Sequence, residues 1–396
     1  MSLRSALREP KGYWRGLTTA ERGVSGFVVG FVLLLLVGLF TGRLAPAYFL
    51  FLVGLSGMYA LLSLGLNVQW GYTGLINFSV AAFFGIGAYG TALASASSSP
   101  VAGNLLPVVG VFVALVLAAV LAVLIGIPTL RLRADYLAIA SIGLAEVVRI
   151  VVLNEAQWTN GSAGVRGIPT FFDGWPVLAT LPQDMPGIAI TFVPGQRIVL
   201  GVPFWNALSN VVVVAAFIAV SYTVLRRVHR SPWGRVLRTI RSDEDLARAL
   251  GKNTYAYKMQ AFVLGSLVMA LAGVFYAHLN LFVAPGDLDP ITTFYVWVAV
   301  MLGGSGSNRG ALFGGFVIVA IREGTRFLNS FGWIPFDVAP LRLLLIGVII
   351  VLLMRFRPEG VLPPQRELIW PGAVDRKPPE QPGRGVREAT TGEGDD

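Results

Sequence analysis

Ten stretches of this sequence run apolar for about the length a helix needs to cross a lipid layer, and that excludes an ordinary soluble fold. They begin near Val24, Ala47, Leu75, Leu105, Tyr136, Trp205, Ala256, Ile291, Ala311 and Leu341. A hydrocarbon core about 30 Å thick takes roughly 20 such residues in a helix; the eighth and tenth windows are short. Lipid offers no water to bond backbone groups, so these segments must be helices or a closed barrel. The apolar runs are continuous rather than alternating, which selects helices. Composition agrees, at 55% hydrophobic and 13% charged residues over 396, because a soluble domain of that size needs more polar surface. The expected fold class is an all-α polytopic membrane protein of about ten transmembrane helices.

Positive charge sets the expected orientation, since Lys and Arg collect on the cytosolic side. The leader carries Arg4, Arg8, Lys11, Arg15 and Arg22. The 226–258 loop carries Arg226, Arg227, Arg230, Arg235, Arg238, Arg241, Arg248, Lys252 and Lys258. With both inside, the 154–204 segment falls outside, holding only Arg166 and Arg197 as cations, and both termini are cytosolic. The net charge of +9 is therefore topological and does not point to nucleic acid. Ala45-Pro46-Ala47 mimics a signal-peptidase site, but the preceding apolar core from Val24 to Phe40 is long, so it is read as a span. The expected organisation is a cytosolic leader (1–23), a transmembrane domain (24–358) with 154–204 as a compact external cap and 226–258 as a cytosolic loop, and a tail (359–396). The tail is rich in Pro, Gly and charge from Pro371 on and reads as disordered.

Chemistry is sparse. With no cysteine there is no disulfide or thiolate metal site, and His229 and His278 are the only histidines. There is no G-x4-G-K-[ST], so the chain hydrolyses no ATP by a P-loop. Four constellations remain. In the cytosolic loop, Ser242 or Asp243 can cap a short helix with Glu244 and Asp245 in its first turn and Gly251 at its stop. Such a helix suits a partner's groove; a solvated loop against anionic lipid is the alternative. Between two spans, Asn67, Gln69, Tyr72, Thr73 and Asn77 alternate with Gly71 and Gly74. Polar broken helices at membrane depth line substrate paths, and an interfacial turn with Trp70 and Tyr72 in the aromatic belt is the other reading. Glu146 and Arg149 form the one opposite-charge pair near the middle of a predicted span. At i, i+3 they share a face; a structural ion pair is preferred over a lining for a zwitterionic solute. Gly306, Gly310 and Gly314 recur every four residues and suggest a ridge packed closely on a neighbour, with a sharp turn at Gly303 and Gly304. His278 and Asn280 are expected at the external interface.

Asp245-Leu246-Ala247, three residues, then Gly251 is similar to the EAA-x3-G loop of ABC importer permeases, with Asp245 and Leu246 replacing the Glu and first Ala. Its surroundings resemble the branched-chain amino acid permeases of the LivM type at Ser231-Pro232-Trp233-Gly234-Arg235, Asp243-Glu244-Asp245 and Ala249-Leu250-Gly251. The resemblance continues through Asn67–Gly90, through Arg131–Ala138 and from Thr159-Asn160-Gly161 to Gly167-Ile168-Pro169. It returns at Gly303-Gly304-Ser305-Gly306-Ser307 with Gly310 and Gly314, and at Phe356-Arg357-Pro358-Glu359-Gly360. The set covers about 60 to 360 in family order. The chain departs from the pattern at Asn77, at Ala134 and in the insert Ser162–Arg166, which bears on the solute, because urea and short-amide permeases share the framework.

The resemblance implies an ABC importer permease fold and a non-catalytic subunit of an importer for branched-chain amino acids in a bacterial or archaeal cytoplasmic membrane. It implies a second, LivH-like permease, two cytosolic ATPase subunits that hold the ATP and Mg, and an external solute-binding protein. Glu244, Asp245, Ala247, Gly251, Arg235 and Arg238 would then form the ATPase-coupling loop. Asn67, Gln69, Tyr72, Asn77, Glu146 and Arg149 become candidates for the substrate path, and Gly303, Gly304, Gly306, Gly310 and Gly314 for helix packing. An ion-coupled secondary carrier is the competing class, disfavoured by the scarcity of carboxylates within the spans.

Overall fold

The structure is a computed structural model that describes residues 44–364 except 102, 176–178, 186, 194–195, 329–338 and 357–358, and before these only Gly26, Gly30 and Gly38. The leader, the first predicted span and the tail beyond 364 lie outside the described residues.

Nine helices among the described residues coincide with the other nine apolar windows: α1 (Pro46–Leu66), α2 (Val80–Ser95), α3 (Pro107–Thr129), α4 (Ala134–Asn154), α5 (Val202–Arg230), α8 (Thr254–Asn280), α9 (Ile291–Gly303), α10 (Asn308–Leu328) and α11 (Ala339–Phe356). Two short helices, α6 (Pro232–Ser242) and α7 (Glu244–Ala249), fill the basic loop. Several starts are written locally: proline occupies the first turn of α1, α3, α5 and α6, where its missing N–H costs nothing. Asn253 caps α8 by accepting from the Ala256 amide.

Among the described residues, five helical segments are long and apolar enough to cross a membrane, and α2 and α9 are apolar but shorter. The window from Leu75 yields a helix only from Val80, because residues 74–79 are in neither helix nor strand. Helices α1 and α8 run antiparallel, Gly54 meeting Leu279 and Gly65 meeting Met269. The basic α6–α7 segment, which bonds the chain at the end of α1, and Val165–Arg166 of the cap, which pair with the chain after α8, therefore lie at opposite ends of the bundle.

The helix α1 is the hub. It packs against α5, α8, α9 and α10, and 78% of its apolar window is buried, against 28% for α3 and 22% for α4 and α5. The peripheral helices leave Phe112, Val116, Leu124, Ile139, Val212 and Val220 exposed, a surface suited to lipid or another membrane subunit. The centre is aromatic and aliphatic, with Tyr59, Phe83, Phe262 and Phe275 fully buried.

The cap departs from an all-α expectation. Strand β1 (Val165–Arg166) pairs antiparallel with β4 (Phe282–Val283), and β2 (Ile188–Val193) with β3 (Gln196–Leu200) through a bulge near Thr191. The first pair ties the cap to the end of α8. His278, expected at the interface, is buried there instead, its Nδ1 2.9 Å from the Pro169 carbonyl and its Nε2 3.2 Å from Thr91 Oγ1.

Candidate functional site

At the basic end, the helix of α1 gives way. Asn67–Gly71 forms a π-helical turn, a single-turn widening that shifts hydrogen bonds by one residue. The chain then turns at Gly74 (φ 75°) and runs without regular structure to Ser79. A break within a bundle must re-satisfy the backbone and side-chain polar groups it introduces, and the polar residues here do so. Gln69 Nε2 donates to the Phe262 carbonyl at 2.8 Å and to Ser266 Oγ at 3.1 Å, while its Oε1 accepts from Asn77 Nδ2 at 2.7 Å. Asn77 Oδ1 accepts from the Ser79 amide, and the Asn77 carbonyl from Trp297 Nε1. Asn67 Nδ2 donates to Asn308 Oδ1 at 3.0 Å, and Tyr72 Oη donates to the same oxygen at 2.5 Å. Asn67, Gln69, Tyr72 and Asn77 are thus all buried at the break, in two bonded sets: Asn67 and Tyr72 on Asn308, and Gln69 with Asn77 on α8.

Removing one member leaves its partners buried without bonds. Gln69→Leu is expected to cost about 2 kcal/mol, read as a lower unfolding midpoint of the purified protein in detergent. An unchanged midpoint would mean that the break does not depend on this amide.

The glycine turn between α9 and α10 closes on the Asn67 set. The Gly306 amide donates to Asn67 Oδ1 at 2.7 Å. Gly304 (φ 113°) and Gly306 (φ 90°) adopt backbone angles open to glycine. Gly306 lies before the first residue of α10, so the expected four-residue ridge shrinks to Gly310 and Gly314. A Cβ on Gly310 would fall closer than 3.0 Å to the Gly303 carbonyl, and one on Gly314 closer than 3.0 Å to the Ala299 carbonyl. Residues 359–364, expected at the head of the tail, pack on this turn: the Val361 and Leu362 amides donate to the Leu302 and Gly303 carbonyls at 2.8 and 2.9 Å.

Helices α6 and α7 lie across this end. Gly234, Leu237 and Ile240 of α6 are buried, the inward stripe of an amphipathic helix. Arg238 donates to the His229 carbonyl at 3.0 Å and contacts its ring, fastening α6 to the end of α5, while Arg235 is exposed. Of the two caps the sequence allows, Ser242 and Asp243, it is Asp243 that caps α7, accepting from the Leu246 amide at 2.9 Å, and Gly251 (φ 73°) follows its end. Glu244 is held by Lys258 and, at 2.7 Å, by Arg248, which also reaches Asp245 at 3.1 Å. Burial opposes ionisation of Glu244, but the bonds from Lys258 and Thr254 and the Arg248 charge outweigh it and hold its carboxyl below the usual range. Ala247 points inward and is fully buried, whereas Leu246 and Leu250 are 51% and 64% exposed. The exposed large apolar side chains here are therefore Leu246 in α7 and Leu250 just past its end, which the loop motif alone does not single out.

Glu146 and Arg149 stand apart from both bonded sets at the break. They form a pair closed on itself, Arg149 Nε lying 3.0 and 2.9 Å from the two carboxylate oxygens, and both are half-buried on α4.

A family model described as "Branched-chain amino acid transport system / permease component" matches residues 48–354. The chain belongs to that family. It is 31% identical to the high-affinity branched-chain amino acid transport system permease protein LivM of Escherichia coli K12 over 324 residues, 79% of this chain and 69% of the relative. A probable LivM of Methanocaldococcus jannaschii is 29% identical over 353 residues, 80% and 93% of the two chains. The permease protein LivH of Escherichia coli K12 is 27% identical over 274 residues, 67% and 81% of the two. No solved structure matches the chain significantly. Family and apolar helices together make this a multi-pass membrane protein of a kind found in bacteria and archaea.

Three features of this branched-chain permease component escape a reading of its sequence. Asn308 and Arg241 join the break from distant segments. A second opposite-charge pair, Arg322 and Glu323 of α10, lies against the bundle core: Arg322 donates to Tyr59 Oη at 2.6 Å, and its Nε is 3.6 Å from Glu323. Glu146 and Arg149 are thus not the only such pair within the helices.

Proposed function

We propose that this chain is one transmembrane subunit of an ABC importer for branched-chain amino acids, working in a bacterial or archaeal cytoplasmic membrane. The observation that carries the reading is the family match over 48–354. The second permease would be LivH-like, two ATPase subunits would supply ATP and Mg chemistry from the cytosol, and an external solute-binding protein would deliver the amino acid. The positive-inside rule puts the α6–α7 end in the cytosol together with both termini, and the 154–204 cap would then face the binding protein. In this reading α6–α7 receives the ATPase motion, and the substrate path runs beside the break in α1. Asn67, Gln69, Tyr72 and Asn77 act there as the hinge that lets the path change shape. The Glu146–Arg149 pair holds α4 by closing on itself, which spares each ion the cost of standing alone in lipid.

The test is uptake of labelled leucine in cells lacking this chain, with and without its gene restored, challenged by excess isoleucine, valine or urea. Restored uptake that isoleucine and valine suppress and urea does not is the expected result. Restored urea uptake with no effect on leucine would keep the permease and discard the solute. Uptake that persists without ATPase subunits and collapses with an uncoupler would replace the importer by an ion-driven carrier.

A further inference from the structure

Two backbone irregularities meet at the basic end, and one side chain bonds both. Gly71 ends the π-helical turn of α1, and the helix stops after Thr73, where the Gly74 and Leu75 amides donate back to the Trp70 and Gln69 carbonyls rather than to that of Gly71. Arg241 Nη1 donates to that carbonyl, and Nη2 of the same guanidinium donates to Ser305 Oγ at 2.9 Å in the turn between α9 and α10. The bare backbone of that turn leaves room for it: a Cβ on Gly306 would lie 2.9 Å from Arg241 Nη1. Arg241 is the last but one residue of α6, two positions before Asp243, which caps α7.

We propose that Arg241 is the positioning residue that carries motion of α6–α7 into the core, a role that rests on the importer reading above. Leu237 and Ile240 also seat α6 on the bundle, but apolar contact is non-directional and resists separation better than sliding. A planar guanidinium that bonds two acceptors fixes both direction and register. Displacement of α6 along the bundle end therefore pulls the break in α1 and the glycine turn together, and those two elements share the Asn67 side chain through the Gly306 amide. Lysine is no substitute, because a single ammonium on a flexible stem does not hold the two acceptors in one plane.

The experiment measures leucine taken up per ATP hydrolysed in proteoliposomes holding the complete importer, for the wild type, Arg241→Ala, Arg241→Lys and Ser305→Ala. Arg241→Ala is expected to retain the ATPase subunits and hydrolyse ATP within about twofold of wild type while uptake per ATP falls about tenfold, the scale of one charge-assisted bond. Arg241→Lys should fall between the two. Ser305→Ala, which leaves the fold's backbone bonds intact, should lower the ratio by about threefold alone and add nothing in the Arg241→Ala background, since both changes break one link. An unchanged ratio in Arg241→Ala, additive losses in the double variant, or loss of the ATPase subunits in step with uptake would each overturn the proposal. A wild type with no ATP-dependent leucine uptake would instead bring down the importer reading, and this inference with it.

Discussion

Gly314→Ala is expected to remove most of the folded protein from the membrane, while Gly324→Ala in the same helix leaves the yield unchanged. One added carbon is the whole chemical difference in both variants. At Gly314 that carbon would lie closer than 3.0 Å to the Ala299 carbonyl of α9, whereas at Gly324 nothing among the described residues lies within 4 Å. The obstacle is backbone, which cannot rotate away as a side chain does. Retreat of α10 is also restricted, because the next residue, Gly315, holds its adjacent face against α1, with a Cβ there only 2.5 Å from the Ala60 amide nitrogen. Overpacking a close helix contact typically costs 1–3 kcal/mol, and this site belongs at the upper end, about 3 kcal/mol. That corresponds to roughly a hundredfold change in the folding equilibrium. Detergent-extracted yield and unfolding midpoint read the effect, and matching values for the two variants would show that α9 and α10 do not approach as closely as described.

That contact also marks what a sequence can announce. Glycines recurring at Gly310 and Gly314 announce a close helix pair because the spacing is local. The neighbour is not local, and neither is the place where the glycine run stops being helical. Gly306 follows the same spacing yet sits in a turn at φ 90°, since Gly304 and Gly306 reverse the chain before α10 begins. The helices themselves were legible for the same reason: 20 apolar residues in a row leave lipid and a helix as the one consistent outcome.

The site was legible only in part. Asn67 to Asn77 declares itself as a polar interruption between apolar runs, and the family resemblance of that stretch reinforces it. Its partners are hidden, because the Asn67–Asn308 and Arg241–Gly71 bonds join residues 241 and 170 apart in sequence and neither follows a local spacing. The pair Arg322 and Glu323 escaped for a different reason. Adjacent residues point to different faces of a helix, so no i, i+3 or i, i+4 signature flags them. The cap strands β1 and β4 are two residues each, too short for alternation to register against the surrounding glycines.

In α7 the division between inward and outward residues leads to the second large effect. Leu246→Glu and Leu250→Glu are expected to cut uptake at least about tenfold while leaving membrane level and unfolding midpoint near wild type, the loss expected of an interface anchor. The two leucines are four residues apart and so share one helical face, and they are 51% and 64% exposed, so a charge there disturbs nothing within the chain. In an ATPase groove the same carboxylate would be desolvated without a partner. Ala247→Glu should behave in the opposite way. Its side chain is fully buried against the bundle, so the carboxylate would unseat α7 and lower protein level along with uptake. Transport per molecule, measured against the amount of subunit in the membrane, separates the two cases. If Leu246→Glu and Leu250→Glu transport normally, the proposed ATPase contact does not use this face of the loop. If Ala247→Glu keeps its level and loses uptake, the inward seating of α7 is wrong, and the helix turns its small residues toward the partner.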